Sequence, residues 1–582
     1  VHRVTAALLL LSATLLPAAQ ADWGSFHADS RGSGSVANSS YPVYQDVWWS
    51  NKTLNNAQVK ASPVIKDGIL ITTDLGSSLA TPPNSGLVRA LDVASGHEMW
   101  SHKMAAPIEG TPAISGERVY VVDTAGNLKA LNLRDGRVET VAISPVGQTL
   151  SSIMVHEGAL FIGTEAGEMK AYLESTLTLL WTFSISSAYA LQSAVTDPKT
   201  GITTCTGTPL AAQPVRGAPA VYDHQVFFGS LNHYVFAVDE KGRGDGKTTL
   251  TWMYQTGDVV LGAPTINIAS ATAYRVIIGS YDGNVYAFNG MAAAASSCNA
   301  SGFTYGTVNT PAWTYAVPNV VDSGTGQTQV SKVQSSPANT GDRVYVGANN
   351  GHVYALDAAT GAKVWEQTCG DSRAPVTGSP AVANGIVVVG SEDKKVYWLS
   401  AANGSILKTF ATQGAVGPSP AIDGDRAIVT ATEGTTYMFG PKVPPRADLI
   451  VSSVAATAVT VTATVKNQGT DPAAATKVRL FVGGTFLADV NVQALAAGES
   501  TSITYTGALP AGTQTIKASI DPENVVTESA ESNNDFTLTA TIAAPGPAPT
   551  SAISTTKKKS PAAGLLFAVG LLVCAAAARR RR

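Results

Sequence analysis

Residues able to do chemistry are few in this chain and widely spaced. Its eight histidines are His2, His27, His97, His102, His156, His224, His233 and His352, and none stands at a metal-ligand spacing from another. His97 and His102 could share a neighbourhood, but a turn and a strand start account for both. Four cysteines occur, Cys205, Cys298, Cys369 and Cys574, with no Cys-x-x-Cys pair among them. Cys205, Cys298 and Cys369 are disulfide candidates for an oxidising compartment, with their pairing left open. Tyr281-Asp282-Gly283-Asn284 offers the carboxylate, glycine and amide of a calcium loop fragment, yet the same residues spell a hairpin turn. No Gly-x-Ser-x-Gly, His-Glu-x-x-His, Walker or dinucleotide pattern is present. The expectation is therefore a non-enzyme with no catalytic, cofactor-binding or metal residue. Asn38, Asn51, Asn299 and Asn403 each open an Asn-x-Ser/Thr sequence, the acceptor pattern for N-glycans.

Composition narrows the classes. At 582 residues the chain has room for about four domains, fewer if one is a large all-β unit. Charged residues are only 14% and hydrophobics 45%, which excludes a disordered chain. Lys+Arg 39 against Asp+Glu 42 leaves a net charge of -3, so nothing in the balance invites nucleic acid. Four cysteines exclude a disulfide-dense scaffold.

Both ends read as targeting segments. Residues 1–21 open with His2 and Arg3, continue through an apolar run, and place small residues at Ala19 and Ala21, which predicts signal cleavage before Asp22; a membrane anchor is the alternative. At the far end, an apolar run from Ala562 to Ala578 precedes Arg579-Arg580-Arg581-Arg582 and predicts a short transmembrane helix with cytoplasmic arginines. Residues 543–560 before it form a Pro-, Ala-, Ser-, Thr- and Lys-rich linker.

Between these ends lies an internal repeat. One unit reads Ser336-Pro337-Ala338 … Arg343-Val344-Tyr345-Val346-Gly347 … Val353-Tyr354-Ala355-Leu356-Asp357 … Gly361 … Trp365, and the next runs from Ser379-Pro380 to Phe410. Further units start near Ser62, Thr111, Ser151, Ala218, Ala263 and Ser419, making eight; seven remains open because the unit at Ser151 is degenerate. Each holds four short β-rich runs divided by Gly, Asn or Asp turns, as a propeller blade does. Trp100, Trp181, Trp252, Trp313 and Trp365 near the unit ends should pack on the neighbouring blade. The last unit stops at Gly440 without a fourth strand, and Asp46-Val47-Trp48-Trp49 supplies a candidate to close the ring. Stretches near 184–215 and 290–311 interrupt the repeat, and loops on a rigid scaffold are where binding usually sits.

The repeat resembles the pyrroloquinoline-quinone-like propeller repeat, whose Val-Tyr-Ala-Leu-Asp-x-x-Thr-Gly-x-x-x-Trp signature is matched by Val353–Trp365. Trp23, Phe26, Asp29 and Gly34 are similar to an opening motif that often precedes such propellers. The resemblance covers residues 22–440 and implies a fold that hosts quinoprotein dehydrogenases, an outer-membrane assembly lipoprotein and surface proteins. The dehydrogenases hold their quinone beside adjacent cysteines, which this chain lacks. The tail from Ser560-Pro561 resembles sortase-type sorting signals, closest to the archaeal Pro-Gly-Phe class, although Ala562-Ala563-Gly564 follows the proline.

After a linker at 441–446, seven short strands between 447 and 542 predict an Ig-like β-sandwich. The segments Val465-Lys466-Asn467-Gln468-Gly469 and Glu528-Ser529 … Glu531-Ser532-Asn533-Asn534 resemble CARDB, a cell-adhesion-related module. Glu528 and Glu531 could form a weak cation site, with turn chemistry the simpler account. The expectation is thus an all-β chain: an eight-bladed propeller, a seven-stranded sandwich and a C-terminal membrane helix. Such a protein would be exported and held at the cell surface, binding protein or glycan partners without a cofactor. The alternatives are a secreted quinone-dependent dehydrogenase or an envelope protein-assembly factor.

Overall fold

A computed structural model of the chain describes residues 23–36, 47–52, 57–76, 85–196, 203–270, 273–291, 307–321, 326–370, 374–440, 447–469, 471–523, 525–526, 528 and 533–543. The chain divides into two units, Val1–Pro444 and Pro445–Arg582. The signal positions Ala19 and Ala21, the sequons at Asn38 and Asn299, Cys298, and the tail from Ser560-Pro561 lie outside the described residues. Among the described residues no helix is long and apolar enough to cross a membrane; the single helical turn is Ile185–Ser187.

In the first unit, eight antiparallel four-stranded sheets follow one another among the described residues. They span residues 64–103, 113–141, 154–184, 220–255, 265–316, 338–368, 381–411, and 421–439 completed by Val47–Lys52; here they are blades 1 to 8. Their innermost strands touch in succession, and the inner strand of blade 8 meets that of blade 1, so the sheets form a closed ring. Closure depends on Val47–Lys52, which pairs antiparallel with Thr435–Phe439 and covers what would be an open sheet edge. Residues from both ends of the propeller sequence therefore share one sheet.

Burial explains the strand sequences. The second and third strands of a blade are covered on both faces by neighbouring blades, so they read as near-continuous apolar runs: Arg343–Gly347 and His352–Asp357 are buried at every interior position. The outermost strand is covered on one side, and Lys363–Thr368 buries only Trp365 fully. That tryptophan faces Ala355 across the strand pair, as Trp100, Trp181, Trp252 and Trp313 face Ala90, Ala171, Ala237 and Ala287. The small alanine leaves room for the indole, and a bulge follows it in each of these blades.

Each indole then reaches into the next blade. Trp100 Nε1 donates to Leu133 O (2.8 Å), Trp181 to Glu240 O (2.8 Å), Trp252 to Gly290 O (2.9 Å), Trp313 to Ala358 O (3.1 Å) and Trp365 to Ala401 O (3.0 Å). Trp49 does the same from blade 8 to blade 1, donating to Val93 O at 3.0 Å. A glycine at positive φ lies beneath most of these rings; a Cβ on Gly404 (φ +76°) would stand 2.7 Å from Trp365 Cε3. The seam from blade 2 to blade 3 exchanges both partners. Thr140 holds the tryptophan position opposite Ala130, and Leu177, at φ +55° and fully buried, holds the glycine position.

Insertions add strands without breaking the ring. The expected interruption near 184–215 forms a two-stranded hairpin, Tyr189–Thr196 with Thr203–Pro209. Thr307–Val308 adds a fifth, parallel strand to blade 4 beside Trp252 and Met253. A further small hairpin, Val320–Val321 with Thr328–Gln329, has no counterpart in the sequence reading.

The second unit packs a three-stranded sheet and a four-stranded sheet around its own core, which includes Leu449, Val465, Leu480 and Ile520. Alternating burial along Thr460–Asn467 is the pattern of a strand with one solvated face. Asn467 is fully buried and organises one end. Its Nδ2 donates to Asp471, Leu495 and Ala496 carbonyls at 2.7–3.2 Å, and its Oδ1 accepts from Asp448 and Gly469 amides at 3.1 Å. Glu528 is buried too, with one carboxylate oxygen accepting from the Leu449 amide and the other from Asn534 Nδ2. Its chemistry is that of a tether between the first strand and the loop before the last.

Candidate functional site

The centre of a propeller poses a hydrogen-bond problem. The inner edge of every first strand faces the axial channel, and its amides need partners. Residues 23–36 supply them. Trp23 exchanges backbone bonds with Ile65 of blade 1 (2.8 and 3.0 Å), and Gly24 O accepts from Ile114 of blade 2 (2.6 Å). Ser30 O then accepts from Val221 of blade 4 (2.7 Å), Arg31 O from Ile266 of blade 5 (2.9 Å), Ser33 O from Asn339 of blade 6 (2.8 Å) and Gly34 O from Val382 of blade 7 (2.8 Å). Ser35–Val36 finally runs parallel to the inner strand of blade 7. The segment thus visits six blades in chain order.

Its conformation is built locally. Asp29 Oδ1 accepts from the amides of Arg31 and Ser33 (3.1 Å each), and its Oδ2 binds the Arg31 guanidinium at 2.7 Å. Gly32 and Gly34 adopt φ near +60°, and a Cβ there would stand 2.7 Å from Pro264 O and from Ala338 Cβ respectively. Trp23 is buried, and Phe26 stacks on His27 with ring centroids 4.6 Å apart. Burial pushes the His27 imidazole down to about 4, with the Gly32 backbone and Asp29 acting the other way.

Below Phe26 the channel is a polar well of about 210 Å³. Its wall is a chain of hydroxyl latches between blades. The Ser62 amide donates to Thr111 Oγ1 (3.0 Å), Thr111 to Ser152 Oγ (3.0 Å), and Ser151 Oγ donates to Gly217 O (3.2 Å). The amides of Ala263, Ser336, Ser379 and Ser419 donate in turn to the hydroxyls of Ser336, Ser379, Ser419 and Ser62, at 2.7–3.2 Å. Only the step from blade 4 to blade 5 lacks such a latch among the described residues; there Gly217 and Gly262 approach so closely that a Cβ would stand 2.8 Å from Gly262 O. Lys60–Glu109 (3.0 Å) and Arg216–Glu165 (2.7 Å) ring its mouth. A well this small falls below the roughly 300–1,000 Å³ of small-molecule sites. A larger cleft, about 580 Å³, opens beside the segment between blades 5, 6 and 7, bordered by Arg31, Asp342 and Arg343.

The residues singled out in the sequence are dispersed by the fold. Cys369 is a free, wholly buried thiol at the junction of blades 6 and 7, so it is a core residue and not a disulfide partner. Burial, followed by the Asp393 charge, pushes that thiol up to about 12. Cys205 lies on the hairpin strand Thr203–Pro209, opposite Ala194. Asn51 spends its amide on Gly96 O (2.8 Å) and accepts from Arg89 (2.9 Å), which makes it a structural residue of the blade 8–blade 1 seam. Asn403 sits in an exposed turn with its Oδ1 accepting from Ser405. Asp282 is used by its turn, accepting from Asn284 N (2.9 Å) and Tyr286 OH (2.6 Å). His97 is exposed, while His102 faces Lys129 at 3.2 Å, so the two form no joint site. His156 and His224, apart in sequence, are instead gathered around Glu240.

Comparison with known proteins agrees with this architecture. A family profile described as outer membrane protein assembly factor BamB matches residues 84–209 and 310–470, and a CARDB profile matches 446–538. The chain carries PQQ-like, BamB-type propeller repeats and a C-terminal CARDB domain. The two profiles overlap at 446–470, where the fold has already left the last propeller strand, which ends at Phe439, and entered the sandwich. The unmatched stretch holds blade 4, with its added strand, and most of blade 5. The assembly factor BamB of Yersinia pestis is 29% identical over 123 residues, 19% of this chain and 31% of that protein. The BamB of Moranella endobia is 28% identical over 113 residues, 18% and 29% respectively. The chain thus spans less than a third of the length of these curated relatives. The quinohemoprotein alcohol dehydrogenase of Comamonas testosteroni shares the fold, with a TM-score of 0.51 at 15% identity over 72% of this chain and 81% of that one.

Proposed function

We propose that this chain is a non-catalytic, exported cell-surface protein whose propeller binds or scaffolds protein or glycan partners at the envelope. The observation that carries the reading is the filled channel: residues 23–36 bond to the inner strands of six blades and leave a well of only about 210 Å³. Recognition then falls to the rims. The seam of blades 2 and 3 is the best-suited rim, because Thr140 stands where the tryptophan latch would be. A cleft of about 420 Å³ opens there beside Tyr120, Glu139 and Leu173, and Val138, Val141, Ile143, Leu173 and Leu180 are exposed on these two blades. The partial match to BamB favours a protein partner and an envelope location. The tail read as a sorting signal or anchor, with the CARDB domain as a stalk, completes a tethered display.

The non-catalytic part is tested by incubating full-length protein with pyrroloquinoline quinone and Ca²⁺, followed by a dye-linked dehydrogenase assay on alcohols and aldoses. The expected result is no retained quinone absorbance and no dye reduction. Stoichiometric quinone with turnover would put the dehydrogenase reading in its place.

A further inference from the structure

We propose that His156, Glu157, His224 and Glu240 form a binding site for a divalent cation of the zinc class at the seam of blades 3 and 4. The residues come from equivalent places in consecutive blades. His156 ends the first strand of blade 3 and Glu157 opens the hairpin turn that follows it, and His224 lies in the first turn of blade 4. The same turn in blades 1, 7 and 8 carries Asp67-Gly68, Asn384-Gly385 and Gly424-Asp425, residues suited to turning alone. Glu157 and His224 take up positive φ of 41° and 59° there, so their placement is not the relaxed choice for those side chains.

Glu240 is the centre of the group. Its side chain is only 6% exposed, and its Oε2 has no hydrogen-bond partner. Burial pushes its carboxyl up from the ordinary range, with Glu157 adding to the effect and the two imidazoles opposing it. The backbone is held from both sides: its amide donates to His224 O (2.9 Å), and its carbonyl accepts from Trp181 Nε1 (2.8 Å). The surrounding donors converge without bonding to one another. His156 Nε2 lies 3.8 Å from Glu240 Oε1 and 3.9 Å from Glu157 Oε1, and His224 Nδ1 lies 3.7 Å from Glu240 Oε2. These gaps exceed hydrogen-bond length. The ligand atoms of His156, Glu157 and Glu240 all lie within 4.8 Å of one another, with His224 beside the other Glu240 oxygen. Tetrahedral coordination at 2.0–2.1 Å sets neighbouring donors about 3.3–3.4 Å apart, so an ion would draw these three inward and His224 would turn in from the far side of the carboxylate. Two imidazoles with carboxylates select the zinc class over calcium or magnesium, which prefer all-oxygen shells. His156 and Glu157 also line a cleft of about 430 Å³ shared with Gly24, Asp29 and Ser30, which gives the ion a route in. Blade 3 is one of the two blades whose inner strands make no backbone bond to the N-terminal segment among the described residues.

The test uses full-length protein stripped with chelator, with Co²⁺ as the spectroscopic probe and Zn²⁺ as competitor. One Co²⁺ should bind per chain with visible d–d bands and no thiolate charge-transfer band, and Zn²⁺ should displace it. Glu240→Gln and His156→Ala should weaken binding by more than the roughly 10–100-fold that loss of an outer-shell partner costs. His224→Ala changes a half-exposed side chain, keeps the fold and should weaken binding as well; His97→Ala should not. Zn²⁺ should raise the melting temperature of the parent protein and not of Glu240→Gln. Absence of Co²⁺ uptake, a thiolate band, or unchanged affinity in Glu240→Gln and His224→Ala would overturn the assignment.

Discussion

Single residues set the stability of this ring. Trp365 is almost wholly buried, bonds to Ala401 O and lies on Gly404. Trp365→Ala should cost about 3–5 kcal/mol, by lost burial and the cavity left behind. All nine tryptophans fall between Trp23 and Trp398, so fluorescence-detected denaturation of the full chain reports the propeller alone. The seam of blades 2 and 3 makes a sharper prediction. Thr140→Trp alone should destabilise, because the indole meets Leu177. Combined with Leu177→Gly it should be tolerated, giving a favourable coupling in a double-mutant cycle. His27 adds a pH signature. Its folded value near 4 lies below the unfolded 6.5, so the unfolded chain binds the extra proton between those values. Stability from this group is complete above pH 6.5 and declines as pH falls toward 4, by up to about 3 kcal/mol. His27→Phe keeps the stack on Phe26 and should flatten that part of the denaturation midpoint's pH profile. The tryptophans were legible in sequence because they recur at one place in the repeat. The Glu240 cluster was not, since His156 and His224 are joined only when two blades become neighbours.

At the scale of elements, periodicity carried most of the information. Blade strands showed as apolar runs between Gly, Asn and Asp turns, and Val47–Lys52 showed as the piece missing from the last unit. Sandwich strands such as Thr460–Asn467 and Asp535–Ile542 showed as alternation. The segment 23–36 was legible only as a motif of Trp23, Phe26, Asp29 and Gly34. It has almost no regular secondary structure, and its bonds run to strands up to about 350 residues away, which no local pattern encodes. Its role predicts an exchange pattern. The amides of Ile65, Ile114, Val221, Ile266, Asn339 and Val382 should be among the slowest in the propeller by hydrogen exchange. Gly34→Val would press on Ala338 and should speed exchange at Asn339 and Val382 before Ile65 and Ile114.

The propeller is a ring held at three levels: by a shared sheet in blade 8, by indoles across six of its eight seams, and by hydroxyls across seven. Such a ring suits display on its rims, and the rim of blades 2 and 3 is the one proposed to hold a partner. Photo-crosslinking in cells of the native organism tests this most directly, with the photoreactive residue at Val141 or Ile143 and, as control, at Asp245 on the exposed turn of blade 4. One discrete protein adduct is expected from the first two positions, lost in Val138→Asp/Leu173→Asp, and none from the control. Equal, diffuse labelling from all three positions, or an adduct indifferent to those charges, would contradict it.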